Sequence, residues 1–302
     1  MNHRRPYLQS PSRTPKLAVY GLLLTSLFLV CIALLKHKIR PDPNIAGLRE
    51  LQIRGCNVTD EKRRLIAGLE PLISKEPLDV WEGLGKEEKN VKYLPSLTGL
   101  PGKDRIVYID LGAREYDSSI GSWFVRQYPK QGKPYVVYAV EADRSFHKQY
   151  ESRPGVTLLP YAAWIRNETV VFGSKPIIVK DRVWRMRPFG RIEGEKAEGD
   201  GLSAVVRVPA FDFVEWLAAT VRETDFVVVK MDVEGTEIAL VRELVRRGAI
   251  CLIDELFMEC HFDRYVKCCS GERINRFNYT YGQCYDLFAQ LREMGVVAHQ
   301  WW

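Results

Sequence analysis

With 302 residues the chain is long enough for one sizeable domain plus an accessory region, and 46% apolar with 27% charged side chains is the composition of a folded protein. The formal charge of +6 is concentrated at one end: residues 1–40 hold seven Lys or Arg and no acid, leaving 37 basic against 38 acidic residues beyond them. The body of the chain is near neutral, so its charge gives no warrant for a nucleic-acid partner.

Residues 17–35 read LAVYGLLLTSLFLVCIALL, nineteen residues without a charge, close to the length that crosses a bilayer. Cations flank the run on both sides: Arg4, Arg5, Arg13 and Lys16 before it, Lys36, Lys38 and Arg40 after it. It is longer than the apolar part of a cleaved signal peptide, and no small-x-small site follows, so a membrane anchor is expected. The sequons Asn57-Val-Thr, Asn167-Glu-Thr and Asn278-Tyr-Thr all lie after the run. With a short basic head, they suggest a single-pass type II arrangement: cytoplasmic tail 1–16, signal-anchor 17–35, stem 36–104 and a lumenal domain 105–302.

In the stem, residues 60–72 suit a short helix capped by Thr59 or Asp60, and 94–102 are rich in turns. The stem reads as a loosely attached element that could cover one edge of the domain. From residue 105 strand and helix patterns alternate, the signature of an α/β domain with a mostly parallel sheet and helices on both faces. The first unit is RIVYIDLGAREYDSSIGSWFVRQYPKQGKPYVVYAVEAD, residues 105–143. It predicts strand 106–109, a turn at Gly112, helix 118–128 and strand 135–140. Asp110 and Glu141 then stand at two strand ends, where open parallel sheets take nucleotide-like ligands. The G-x-G-x-x-G fingerprint is absent, which favours a ligand without phosphates, such as an adenosyl group. Glu141 is positioned to accept hydrogen bonds from ribose hydroxyls.

Further along, 145–150 predicts a brief helix and 156–163 a third strand, with Pro160 as a local interruption. Segments 167–173, 177–180 and 205–208 look extended, and a helix follows that ends near Glu223. DFVVVKMD, residues 225–232, is the clearest buried strand, because its β-branched centre suits a parallel strand covered on both faces. After it come helix 236–247, strand 249–256, helix 283–294 and a last strand 296–302.

KMDVEGTE, residues 230–237, crowds Asp232, Glu234 and Glu237 at the end of that central strand. Gly235 permits a tight turn, Thr236 is a natural helix cap, and Glu237 suits the first helical turn. Capping explains Glu237 but not Asp232, so Asp232 and Glu234 are candidate site residues, able to orient a hydroxyl or accept its proton. Asp254, Glu255, Glu259 and His261 follow the next strand and are expected near the same crevice. His261 has the intrinsic pKa of a general base, with a plain surface histidine as the other reading. Seven cysteines occur, six of them after the anchor: Cys56, Cys251, Cys260, Cys268, Cys269 and Cys284. No C-x-x-C pair is present, so disulfides are favoured over a zinc site. Cys251, centred in a predicted buried strand, is the one expected to stay free.

VYIDLGA, AVEAD, LLPYAAW and KMDVEGTE resemble the motifs of FkbM-type methyltransferases. IGSWFVRQYPKQ, AAWIRNET, CLIDELFMECH, YGQC and HQWW resemble a plant group of membrane-anchored proteins carrying that domain. The resemblance spans residues 103–302. It implies a three-layer Rossmann-like class I sheet of seven strands and S-adenosyl-L-methionine as cofactor, with no resident metal. Asp110, Gly112, Glu141 and the neighbouring Asp143 would face the cofactor, and Asp232, Glu234 and Gly235 would lie beside the transfer site. Tyr116 stands where the family usually has a further glycine. The expected activity is methyl transfer to a hydroxyl of a glycan or small hydroxylated acceptor in the Golgi or another secretory compartment. Two alternatives stay open. One is a nucleotide-sugar glycosyltransferase with a divalent metal on Asp232 and Glu234. The other is a non-catalytic binding module, and the oligomeric state is open as well.

Overall fold

A computed structural model describes residues 56–76, 102–174, 177–179, 182–185, 191–193, 204–264, 277 and 279–301. Among them no helix is long and apolar enough to cross a membrane, and the 1–16 tail, the 17–35 span and residues 36–55 and 77–101 of the stem lie outside them.

The main sheet joins β1 (Arg105–Leu111), β2 (Tyr135–Val140), β3 (Val156–Leu159), β10 (Asp225–Met231), β11 (Glu255–Met258) and β12 (Val297–Gln300) in the order β12-β11-β10-β1-β2-β3. Every neighbouring pair is parallel. This is the doubly wound Rossmann-like order, which reverses direction between β1 and β10. Six strands build this sheet among the described residues, one fewer than the resemblance implies. The other strands are short or antiparallel. β4 (Ala162–Trp164), β5 (Glu168–Ser174), β8 (Arg191–Glu193) and β9 (Ala204–Asp212) make a second sheet, and β6 (Ile177–Val179) pairs with β7 (Arg182–Arg185).

Both faces of the main sheet are covered, as the β-branched runs require. Ile106, Tyr108, Val137 and Ala139 face a cluster with Ile120, Trp123, Phe124, Phe257 and Trp301. On the other face Tyr138 meets Trp216 of α2 (Phe213–Thr220), ring centroids 5.1 Å apart. Asp212 caps α2 by accepting from Glu215 N–H at 2.9 Å. Trp301 is buried in the first cluster, so the terminal aromatic pair is anchored at least through its first member.

Four predicted elements take another form. The helix expected at 118–128 is a π-helical segment, Ile120–Val125. Gly121, Phe124 and Tyr128 donate five residues back, to Tyr116, Ser119 and Trp123. That wide turn sets Trp123 and Tyr128 on one face, and Phe124 stacks on Tyr108 at 4.1 Å. The strand expected at 156–163 breaks at Pro160, and its halves, β3 and β4, join different sheets. The segment expected at 205–208 is the nine-residue β9, held along its length by β5. The strand expected at 249–256 starts as a 3₁₀ turn, Ala249–Leu252, and becomes β11 only at Glu255.

That last difference moves three residues. Cys251 is exposed on the turn rather than buried in a strand, and it is bonded to Cys56 instead of being free. Asp254 and Glu255 stand at the amino end of β11, away from the crevice expected for them. Asp254 pairs there with Lys103 at 2.9 Å and Lys62 at 3.6 Å.

The segment 56–76 is bound to this edge much more firmly than a loose stem element. Its helix α1 (Asp60–Ala67) is capped by Thr59, which accepts from Lys62 N–H at 3.2 Å. Val58 packs on Gly295, and Ile73 N–H donates to the Gln300 side chain at 2.8 Å. Glu70 accepts from Arg292 at 2.8 Å and lies 3.0 Å from His299 Nδ1, while His299 Nε2 lies 2.8 Å from Glu255. Tyr128 donates to the other Glu255 oxygen at 2.5 Å. Burial opposes a charge on His299, but its bonds to Glu255 and Glu70 outweigh burial and raise its pKa to about 9.

Two outcomes follow. Replacing Cys56 and Cys251 by Ser should cost about 2–4 kcal/mol in urea unfolding, because the bridge closes a loop spanning 195 positions; an unchanged midpoint would show that the bridge constrains nothing. The stabilisation from charged His299 is complete below its unfolded pKa of about 6.5 and is lost as pH rises through about 9. The stability gap between wild type and His299→Gln should therefore narrow from pH 6.5 to above pH 9, and a gap independent of pH counts against the ionic assignment.

Candidate functional site

The β1 and β10 strands end side by side, and the ladder runs one step further through Asp232 N–H to Leu111 C=O at 3.0 Å. Here the chain approaches itself closely. Gly112 has φ +79°, and a Cβ on it would stand 1.9 Å from the Asp232 carbonyl oxygen. Only glycine serves there, on both counts. Gly112 and Ala113 N–H both donate to Val140 C=O, tying the turn to β2 as well.

Lys230, the one cation in an otherwise apolar stretch of β10, is buried below this junction. Its ammonium lies 3.4 Å from Asp110 Oδ1, 3.4 Å from Asp232 Oδ2 and 3.3 Å from Gly112 C=O. Burial disfavours its charge, but the Asp110, Asp232 and Glu259 carboxylates together outweigh that and raise its pKa. Asp110, fully buried, is further committed to the Ser119 hydroxyl and to Tyr108. It shapes the turn and presents no surface to a ligand.

Above the junction the D-x-E-G turn gathers the other predicted residues. Glu234 adopts φ +57°, a left-handed conformation uncommon for a residue with a Cβ. Gly235 follows at φ +107°, where a Cβ would strike the Phe277 ring. Thr236 makes no side-chain cap for α3 (Glu237–Arg246). Glu237 instead closes the turn that precedes the helix, accepting from Val233 N–H at 3.0 Å and from Gly235 N–H at 3.1 Å. The same carboxylate lies 2.8 Å from His261 Nδ1.

His261 is buried, and its Nε2 faces three carboxylates: Glu234 at 3.5 Å, Glu259 at 3.6 Å and Asp232 at 3.9 Å. The Cys260–Cys284 disulfide fastens this segment to α4 (Tyr281–Glu293), whose start carries a Thr280–Gln283 capping box. Burial opposes the imidazolium, but Glu237, Glu259 and Glu234 outweigh it and raise the His261 pKa to about 10. Burial and the Asp232 charge push Glu259 up to about 7. Burial acts on Asp232 in the same sense, yet Lys230 and His261 more than offset it and hold its pKa below the ordinary value. In this state His261 is a donor, and its neighbours are the acceptors.

Glu141, at the end of β2, is the second centre. Its Oε2 accepts from Arg114 N–H at 2.8 Å and its Oε1 from Asp143 N–H at 2.7 Å, while Asp143 caps the 3₁₀ turn Arg144–Tyr150 through Ser145 N–H. Burial raises its pKa to about 6. Tyr116 turns its ring toward Tyr150 and lies under Arg153.

The family model described as "Domain of unknown function (DUF7870)" matches residues 66–183 and 186–302. The chain belongs to that family. No curated protein and no solved structure matches it.

The structure thus brings Asp232, Glu234 and His261 together, leaves Asp110 beneath them and keeps Glu141 with Asp143 across the 112–114 turn. Sequence reasoning gave too little weight to Lys230, Glu237 and Glu259 in this DUF7870 chain. The visible signal for Lys230 was a lysine inside DFVVVKMD, which only a buried counter-charge explains.

The close approach at Gly112 gives a paired test. Gly132→Ala, at φ +74° with open space around it, should cost about 1 kcal/mol from backbone strain alone. Gly112→Ala should lose a further 1–3 kcal/mol or so from overpacking against Asp232. Equal losses in denaturant unfolding would remove the claim that this contact constrains the site.

Proposed function

We propose that the chain is an S-adenosyl-L-methionine-dependent O-methyltransferase of the secretory lumen, anchored through residues 17–35 and acting on a hydroxyl of a glycan or similar acceptor. One observation carries the reading. The Asp232–Glu234–His261 cluster stands where the strand order reverses between β1 and β10, with Glu141 on the adjoining strand end. Open parallel sheets take nucleotide-like ligands at that place. The resemblance of its motifs to those of FkbM-type methyltransferases supports it, as does the parallel Rossmann-like order of the sheet. Two disulfides and exposed sequon asparagines at 57 and 167 support an oxidising lumen.

The residues fit an adenosyl ligand in part. Each Glu141 oxygen accepts one backbone N–H, and an ionised carboxylate oxygen has a second acceptor site for a ribose hydroxyl. Gly112 and Asp143 border that position, whereas Asp110 acts from below by holding the turn. When bound, the cofactor's sulfonium supplies the methyl group. Asp232 and Glu234 would hold the acceptor hydroxyl, and Asp232 or Glu259 would take its proton. His261 keeps these like charges together.

Calorimetric titration of the full-length chain in detergent tests the reading, with S-adenosylmethionine, S-adenosylhomocysteine and, as a control, UDP-sugars with Mn²⁺. Both adenosyl ligands should bind, and Glu141→Ala should weaken them roughly tenfold or more. Asp232→Ala should reduce turnover by about 100-fold while sparing cofactor affinity. No adenosyl binding by folded protein would sink the proposal. UDP-sugar binding would then select the glycosyltransferase, and binding of neither would select the non-catalytic module.

A further inference from the structure

We propose that Asp232, Glu234 and His261 form a site for a single divalent cation of the Mn²⁺ type. The donor atoms of these three residues lie within 4.8 Å of one another. The two separations from the imidazole nitrogen suit a shared ion. With metal–ligand distances of about 2.1 Å, octahedral ligands stand about 3.0 Å apart when adjacent and about 4.2 Å apart when opposite. His261 Nε2 is 3.5 Å from Glu234 and 3.9 Å from Asp232, between those limits.

A group of acids alone would not justify the assignment; His261 does. The residue is only 5% exposed, yet among the described residues the carboxylate oxygens nearest its Nε2 stand 3.5–3.9 Å away. Charge-assisted hydrogen bonds close to about 2.7–2.9 Å, so this nitrogen points into the space between the carboxylates at ion-pair distances longer than that, and an arriving cation would take the place of its proton. Its other nitrogen is fixed by Glu237 at 2.8 Å, and Glu237 is itself fixed by two backbone N–H groups. A carboxylate bonded to the far nitrogen is the usual way a metal-binding histidine is oriented. Glu259, with Arg264 3.9 Å away, borders the same nitrogen at the rim.

Two carboxylates and one imidazole are too rich in oxygen for a structural zinc site and carry a nitrogen that Ca²⁺ and Mg²⁺ do not seek. Such an ion would act as a Lewis acid toward an oxygen held at the cluster. The assignment goes beyond methyl transfer and stands without it, because the ligands are side chains of this chain alone.

The test is Mn²⁺ titration of the metal-stripped, full-length, untagged chain, followed by electron paramagnetic resonance. One Mn²⁺ per chain should bind, and its echo-modulation spectrum should show ¹⁴N coupling to one imidazole. Asp232→Asn and Glu234→Gln should each weaken binding at least tenfold, Glu237→Gln about tenfold, and His261→Gln should abolish the coupling. If His261→Gln does not fold, the two carboxamide variants decide. No stoichiometric binding by folded protein overturns the site, as does binding that lacks nitrogen coupling or survives both carboxamide changes. Adenosyl titration of the same sample keeps the two ideas separate. Mn²⁺ binding without adenosyl binding supports the metal site and removes methyl transfer, and the reverse removes only the metal.

Discussion

The buried ammonium of Lys230 is the interaction on which the working end of this sheet depends. A lone cation in a central strand is strongly disfavoured unless paired, and breaking a buried pair typically costs about 3–5 kcal/mol. Lys230 meets that demand with Asp110 from β1 and Asp232 just past the end of its own strand, and it also touches the Gly112 carbonyl. These three contacts fix how the ends of β1 and β10 lie against each other. The missing Cβ at Gly112 then lets the two backbones touch. One charged contact beneath and one steric contact above define the floor of the site.

On that floor the turn after β10 is held by one carboxylate. Glu237 satisfies two backbone N–H groups of the turn before α3 and orients His261 from another segment. Local closure of the turn and long-range site assembly therefore rest on the same carboxylate. This is why a strained Glu234 can persist beside it: the surroundings fix the conformation that the residue would not choose alone. The Cys260–Cys284 bridge removes freedom from the segment that delivers His261.

How far the sequence could be read follows from the range of each interaction. DFVVVKMD and D-x-E-G were legible because β-branched runs, an acid straight off a strand and a glycine each have a local physical meaning. The meeting of Asp232, Glu234 and His261 followed from strand ends facing one crevice. The π-helical segment was not legible, since the same aromatics satisfy an i+4 pattern until Tyr108 and Trp301 select the wider turn. Cys251 was misjudged because an apolar run at 249–253 reads equally well as strand or turn, and its partner is far away in sequence. The attachment of 56–76 rests on Glu70, His299 and Arg292, contacts between distant positions that no periodicity encodes.

The two carboxylate centres also differ in kind. Glu141 has a backbone N–H on each oxygen, which holds it in place and leaves acceptor capacity for hydroxyls. The His261 cluster is the opposite case: several acceptors converge on one imidazole nitrogen, more than a single proton on that nitrogen can satisfy at 3.5–3.9 Å. A structural role alone would be met by Glu237 and its bond to Nδ1, with the remaining carboxylates turned outward to water. Lys230 beside Asp232 and a charged His261 offset that convergence, so the acids are held close together at the strand ends by positive charge placed between them.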